Sequence, residues 1–170
     1  MTRPNSESSP RGRARRASPT RSSGPRLREC SVELEIPFHD VDALRVVWHG
    51  HYYKYLEVAR TRLLRECKLD APDLMEMRHG LVVIESGCRY VSPLRYGDRV
   101  RVTAWLRDVT HRIYIAYEIT NLTRQARAAR SHTVLVTTDR DGRMLHRTPD
   151  ALLRRLLPDG AGAPTEATGP

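Results

Sequence analysis

The chain has 170 residues, 39% of them apolar and 6% aromatic, enough for one domain with a modest core. Its formal net charge of +9 is unevenly spread: residues 1–30 hold eight Arg against two Glu, so much of the basic character belongs to the amino-terminal segment rather than to a folded surface. No apolar run approaches the roughly 18 residues of a membrane-spanning helix, which argues against an integral membrane protein. Arg outnumbers Lys 27 to 2, a bias we read as genome base composition.

Residues 1–30 contain six Ser, four Pro and two Gly and almost nothing apolar. Such a segment cannot offset the entropy of ordering and is expected to be a disordered basic tail. Its prolines would break an amphipathic targeting helix. No aromatic interleaves its arginines to stack on bases, so nucleic acid is not an expected partner. Residues 158–170 are Gly-, Pro- and Ala-rich and are expected to form a second disordered tail. The folded domain is placed at 31–157. Its first element alternates, with Val32, Leu34, Ile36 and Phe38 on one face and Glu33 and Glu35 on the other, a half-buried strand. From Gly50 to Cys67 the period becomes helical: Tyr52, Leu56, Ala59, Leu63 and Cys67 form an apolar stripe, flanked by Tyr55 and Leu64. Asp70 and Pro72 mark the start of a short second helix and Gly80 its stop. Strands are then predicted at 81–92, 99–109, 112–122 and 129–139, with a turn at Pro93–Asp98 and a hairpin turn at Asp141-Gly142. Thr148-Pro149 opens a last short helix.

Strands running beside one long helix predict an α+β fold with a largely antiparallel sheet. A helix of 18 residues is roughly 27 Å long and about 10 Å thick. Five strands at about 4.8 Å spacing make a sheet roughly 24 Å wide. One helix cannot cover that face if the sheet is flat, so the sheet must curl around it, a second subunit must cover the remainder, or both.

The densest polar cluster runs from Phe38 to Tyr52 and joins the first strand to the helix start. It holds Asp40 and Asp42 with His39, His49 and His51. A helix amino terminus supplies free N–H groups and a partial positive charge. Those donors can hold a carbonyl oxygen as charge builds on it, and a nearby carboxylate can activate water or attack directly. Such an arrangement suits acyl transfer beside the aliphatic Leu44, Val46 and Val47. Each residue also has a plainer reading. Asp42 can be a loop or cap acid, Asp40 a turn former, His49 a cap, and His51 and Tyr52 structural. A metal is not expected, because His49 and His51 do not share a helix face.

Asp42, the run Val46-Val47-Trp48-His49, and then Tyr52, Glu57 and Arg60 resemble the signature of hotdog-fold acyl-CoA thioesterases, in particular the 4-hydroxybenzoyl-CoA and Tol-Pal-associated branch. Pro93-Leu94-Arg95-Tyr96-Gly97-Asp98 resembles that family's turn between its second and third strands. The resemblance covers roughly residues 31–157. It implies a curled antiparallel sheet wrapped around one long central helix. It also implies an acyl-CoA thioesterase acting on a CoA or acyl-carrier-protein thioester, assembled as a homodimer or homotetramer and needing no cofactor. On this reading Asp42 is the catalytic base or nucleophile and His49 assists. Trp48, Gly50, His51 and Tyr52 line the substrate site, and amides near Gly50 and His51 act as oxyanion donors. Arg45 stands where that family usually has a small residue, often Gly. Arg89, Arg95, Arg99 and Arg101 are candidates to meet the CoA phosphates.

Two other classes share these features. A hotdog 3-hydroxyacyl-thioester dehydratase or hydratase would place its acid on the helix, where Glu57 falls with Arg60 nearby. A non-catalytic acyl-binding or nucleic-acid-binding protein would need neither carboxylate. The three cysteines Cys30, Cys67 and Cys88 form neither a zinc-ligand spacing nor a disulfide framework, which fits a reducing, cytoplasmic compartment.

Overall fold

The computed structural model describes residues 26–157. Residues 1–25 of the expected tail at 1–30, and all of the expected tail at 158–170, lie outside the described residues. The first strand, β1 (Glu29–Glu35), begins two residues inside the segment assigned to the basic tail, with Glu29 opposite Trp105 and Cys30 opposite Ala104.

The central helix α1 (Tyr52–Glu66) is followed by α2 (Ala71–Glu76). Four strands come next: β2 (Gly80–Tyr90), β3 (Arg99–Asp108), β4 (Ile113–Asn121) and β5 (Ala126–Thr138). A short α3 (Asp150–Leu156) closes the described chain. The strands form one antiparallel sheet in the order β1-β3-β4-β5-β2, which curls about α1 as the resemblance implies.

The apolar stripe predicted for the helix is the stripe that is buried. Tyr52, Leu56, Ala59, Leu63 and Cys67 all lie in the core, with Tyr55 and Leu64 beside them. They face the inner side of the sheet, where Val100, Val102, Ala104 and Leu106 alternate with Arg99, Arg101, Thr103, Trp105 and Arg107 on the other face. Helix α1 packs on β1 and β3. The far side of the sheet is left barer: on the edge strand β2, the consecutive Val82, Val83 and Ile84 are exposed at a register shift.

Two boundaries differ from the sequence reading for identifiable reasons. Strand β5 starts at Ala126, three residues early, because β4 turns back through Gln125 in the left-handed region (φ 51°) without a glycine to signal it. Asn121 fastens this turn by accepting the Arg124 N–H at 3.0 Å. Phe38 does not continue the first strand's inward face. Pro37 cannot donate to the ladder and ends the strand. Phe38 then enters a 3₁₀ turn (Phe38–Asp40) and is 75% exposed.

Candidate active site

Between β1 and α1 the chain makes a small hairpin. The Asp42 N–H donates to the Val46 carbonyl at 2.9 Å, and Val41 bridges Val47. At its base, the Trp48 N–H donates to the Asp40 carbonyl at 3.0 Å. At its tip, Asp42 forms an Asx turn: its Oδ1 accepts the Leu44 N–H at 2.8 Å, and its carbonyl accepts the Arg45 N–H at 2.9 Å. Arg45 sits at φ 59°, a left-handed conformation that favours glycine.

The turn at Pro93–Asp98 holds this hairpin in place, so the two motifs separated by some forty positions meet in space. The Val47 N–H donates to the Leu94 carbonyl at 2.8 Å, and the Leu94 N–H donates to the Tyr52 hydroxyl at 3.3 Å. Gly97, at φ 76°, gives the turn its sharpness, and its N–H reaches the Ile36 carbonyl. Buried Asp98 anchors the whole turn, accepting from the Arg95 N–H at 2.9 Å, the Asn121 side chain at 2.8 Å and the Arg124 guanidinium at 3.3 Å.

The two acids of the cluster have different fates. Asp40 is 1% exposed. Its carboxylate accepts hydrogen bonds from Tyr55 Oη at 2.7 Å and from Lys54 Nζ, and lies 3.0 Å from His51 Nδ1. Because Nδ1 also lies 3.2 Å from the Asp40 carbonyl, it faces only acceptors and carries the proton. Burial alone would raise the Asp40 carboxyl, but the hydrogen bonds from Lys54 and Tyr55 and the neighbouring positive charge outweigh it and hold the group below the usual carboxylate range. Burial and the Asp40 contact push the Tyr55 hydroxyl far up, so it stays a donor. Asp42, in contrast, commits only Oδ1 to its turn; Oδ2 has no partner among the described residues.

The helix start is a 3₁₀ turn (His49–His51) running directly into α1. The expectation that the His51 amide is a free donor is not met: it is spent on the Trp48 carbonyl at 2.9 Å. The N–H groups of His49 and Gly50 have no acceptor among the described residues. Above them lies an aromatic cluster. The Trp48 ring sits 4.8 Å from that of His49 and 5.2 Å from that of His51. Gly50 leaves room for this packing, since a Cβ there would lie 2.1 Å from the Trp48 ring and would force it to move. Tyr90, from β2, donates to the His49 carbonyl at 3.0 Å and packs edge-on against Tyr52 at 4.9 Å. Tyr52 itself is in the core with its hydroxyl occupied, so its role in this chain is packing rather than the substrate contact expected of it. Trp48 and His49 are exposed and His51 is half-buried on Asp40. No hydrogen bond or ring contact joins Asp42 to His49 among the described residues; the hairpin backbone relates them.

Sequence reasoning missed Lys54, Tyr55, Tyr90 and Asp98. Lys54 was the most findable, as one of only two lysines in the chain and the one beside the motif. Of the arginines offered for phosphates, Arg99 and Arg101 are paired with Glu33, whereas Arg95 has a free guanidinium beside the hairpin. Glu57, the acid of the dehydratase reading, is ion-paired to Arg60 on α1. Among the described residues no group of His, Cys, Asp and Glu is arranged to hold a metal, and no helix is long and apolar enough to cross a membrane.

Comparison with known proteins agrees with this architecture. YneP of Bacillus subtilis, a provisionally named acyl-CoA thioesterase, is 28% identical over 76 residues, which are 45% of this chain and 55% of that protein. A provisionally named esterase of Synechocystis is 28% identical over 128 residues, 74% of this chain and 77% of its own. The chain therefore spans little more than half of the first relative. A 4-hydroxybenzoyl-CoA thioesterase variant solved with 4-hydroxybenzoyl-CoA shares the fold at a TM-score of 0.68 and 16% identity, covering 76% of this chain and 99% of that one. A family model described as the thioesterase-like superfamily matches residues 36–156, which hold the hairpin, α1 and four of the five strands, and the chain belongs to that superfamily.

Proposed function

We propose that the protein hydrolyses acyl thioesters of CoA to the free acid and the thiol, with Asp42 as the acting carboxylate. The observation that carries this reading is the pairing of a partly free carboxylate on a braced hairpin with two unclaimed N–H groups at the helix start that follows it. In the general-base route, Asp42 takes a proton from water and the resulting hydroxide adds to the thioester carbonyl. The amides of His49 and Gly50 hold the oxyanion. The C–S bond then breaks, and the leaving thiolate takes the proton back from Asp42. In the nucleophilic route, the Asp42 oxygen adds instead, the C–S bond breaks to give a mixed anhydride and the thiolate, and water hydrolyses the anhydride, restoring the Asp42 carboxylate and releasing the acid and the proton that the thiolate takes up. Water is the only co-reactant in either. The His49 ring packs at a tilt against Trp48 beside this helix start and is assigned to positioning the thioester.

The exposed apolar edge of β2 supports assembly as a homodimer, with the partner covering the part of the sheet that α1 leaves bare. The three unpaired thiols suit a reducing, cytoplasmic setting. Thiol release measured against a panel of acyl-CoA thioesters tests the reading. Turnover with at least one acyl group, yielding acid and CoA without a new double bond, supports it. A product carrying a new double bond, or no release across the panel by a folded protein, contradicts it.

A further inference from the structure

Beside the Asp42 turn lies a cavity of about 460 Å³ lined by Phe38, Val41, Leu44, Arg45, Arg95 and Tyr96. Its lining contains two guanidinium groups and no acid. Neither guanidinium has an ion-pair or hydrogen-bond partner among the described residues, whereas Arg99 and Arg101 share Glu33. Two cations left unneutralised in one concavity favour an anionic occupant. The remaining walls are apolar and open: Leu44 is 80% and Tyr96 62% exposed, and the rings of Phe38 and Tyr96 meet edge to face at 5.7 Å. Exposed aromatic faces of this kind suit a flat heterocycle.

Arg45 adds a second line of argument. It holds a left-handed backbone conformation that is unfavourable for a residue with a Cβ. The Asx turn imposes this conformation and glycine would meet it freely, yet the residue present carries a long cation into the cavity.

Resting on the thioesterase reading above, we propose that this cavity receives the nucleotide end of the CoA carrier. Arg45 and Arg95 pair with its phosphates, Phe38 and Tyr96 flank its adenine, and Val41 and Leu44 guide the arm that leads to Asp42. The cavity and the carboxylate share one turn, so a carrier seated here enters the reaction site from the hairpin side. Selection of CoA over other acyl carriers would then lie in these two arginines.

The test combines Arg45→Gly, which removes the cation and relieves the backbone, with Arg95→Ala. Calorimetric titration with adenosine 3′,5′-bisphosphate reads the cavity without any turnover. The wild type should bind, and the double variant should bind at least tenfold more weakly while melting within a few degrees of it. In kinetics, the ratio of kcat/KM for an acyl-CoA to that for the same acyl group on N-acetylcysteamine should fall at least tenfold. Equal nucleotide binding by variant and wild type would overturn the assignment. So would an unchanged ratio, or a loss confined to acyl-carrier-protein thioesters. Nucleotide binding that depends on the arginines in a protein releasing no thiol would refute the thioesterase reading and leave this site standing.

Discussion

Asp40 and Asp42 lie two positions apart, on the same hairpin, with the same side chain. One is sealed in the core and satisfied by Tyr55, Lys54 and His51; the other holds one backbone N–H and keeps an oxygen free. The difference comes from what folds over each. Asp40 sits at the hairpin base where the first turn of α1 crosses it, so Lys54 and Tyr55 close on it from the helix. Asp42 sits at the tip, beyond the helix's reach. A carboxylate locked by three partners is a poor base, because its partners lower its proton affinity. On the proposed reading Asp40 anchors the hairpin and Asp42 acts in the reaction, and stability measurements on variants of each separate the two roles.

The largest stability effect should come from Asp40→Ala. It strands the buried Tyr55 hydroxyl and frees Lys54 and His51, at a cost of about 3 kcal/mol. Chemical denaturation reads this directly, and a cost near zero would remove the anchoring role. Gly50→Ala should come next: its Cβ meets the Trp48 ring, which must swing away, costing about 1–3 kcal/mol. Loss of Trp48 fluorescence anisotropy should accompany it. Acid should reproduce part of the Asp40 effect. Its folded pKa is depressed, so its contribution is fully present above the unfolded value of about 4 and is lost as pH falls through the lower folded value. The wild type should therefore lose stability below about pH 4 more steeply than Asp40→Asn. The smallest effect should be that of Asp42→Asn. Its amide oxygen still accepts the Leu44 N–H, so stability should change by less than about 0.5 kcal/mol.

How far the sequence alone reached differs between these same regions. The helix stripe from Tyr52 to Cys67 was legible because burial there follows from periodicity alone. Counting widths showed only that one helix cannot cover a flat five-stranded sheet, leaving curling and a covering subunit both open, and β2 shows what the helix leaves bare. The division between the two aspartates was not legible, since it depends on where α1 crosses the hairpin, a tertiary fact that no spacing carries. Phe38 misled for a related reason: alternation continues through it, but Pro37 has already ended the ladder. Asp98 was visible only as a turn residue, because the partners that make it an anchor, Asn121 and Arg124, lie on a distant hairpin.

The most direct test of the account is the turnover number of Asp42→Asn for thiol release from an acyl-CoA, measured beside Asp40→Asn and Glu57→Gln. With Asp42 as the acting carboxylate, kcat should fall about 10²–10⁴-fold for Asp42→Asn, with KM largely kept and the fold intact. Asp40→Asn should lose stability more than rate, and Glu57→Gln should stay within about tenfold of wild type. If Asp42→Asn turns over normally while Glu57→Gln abolishes release, the acting carboxylate is on the helix and the assignment to the hairpin tip is wrong.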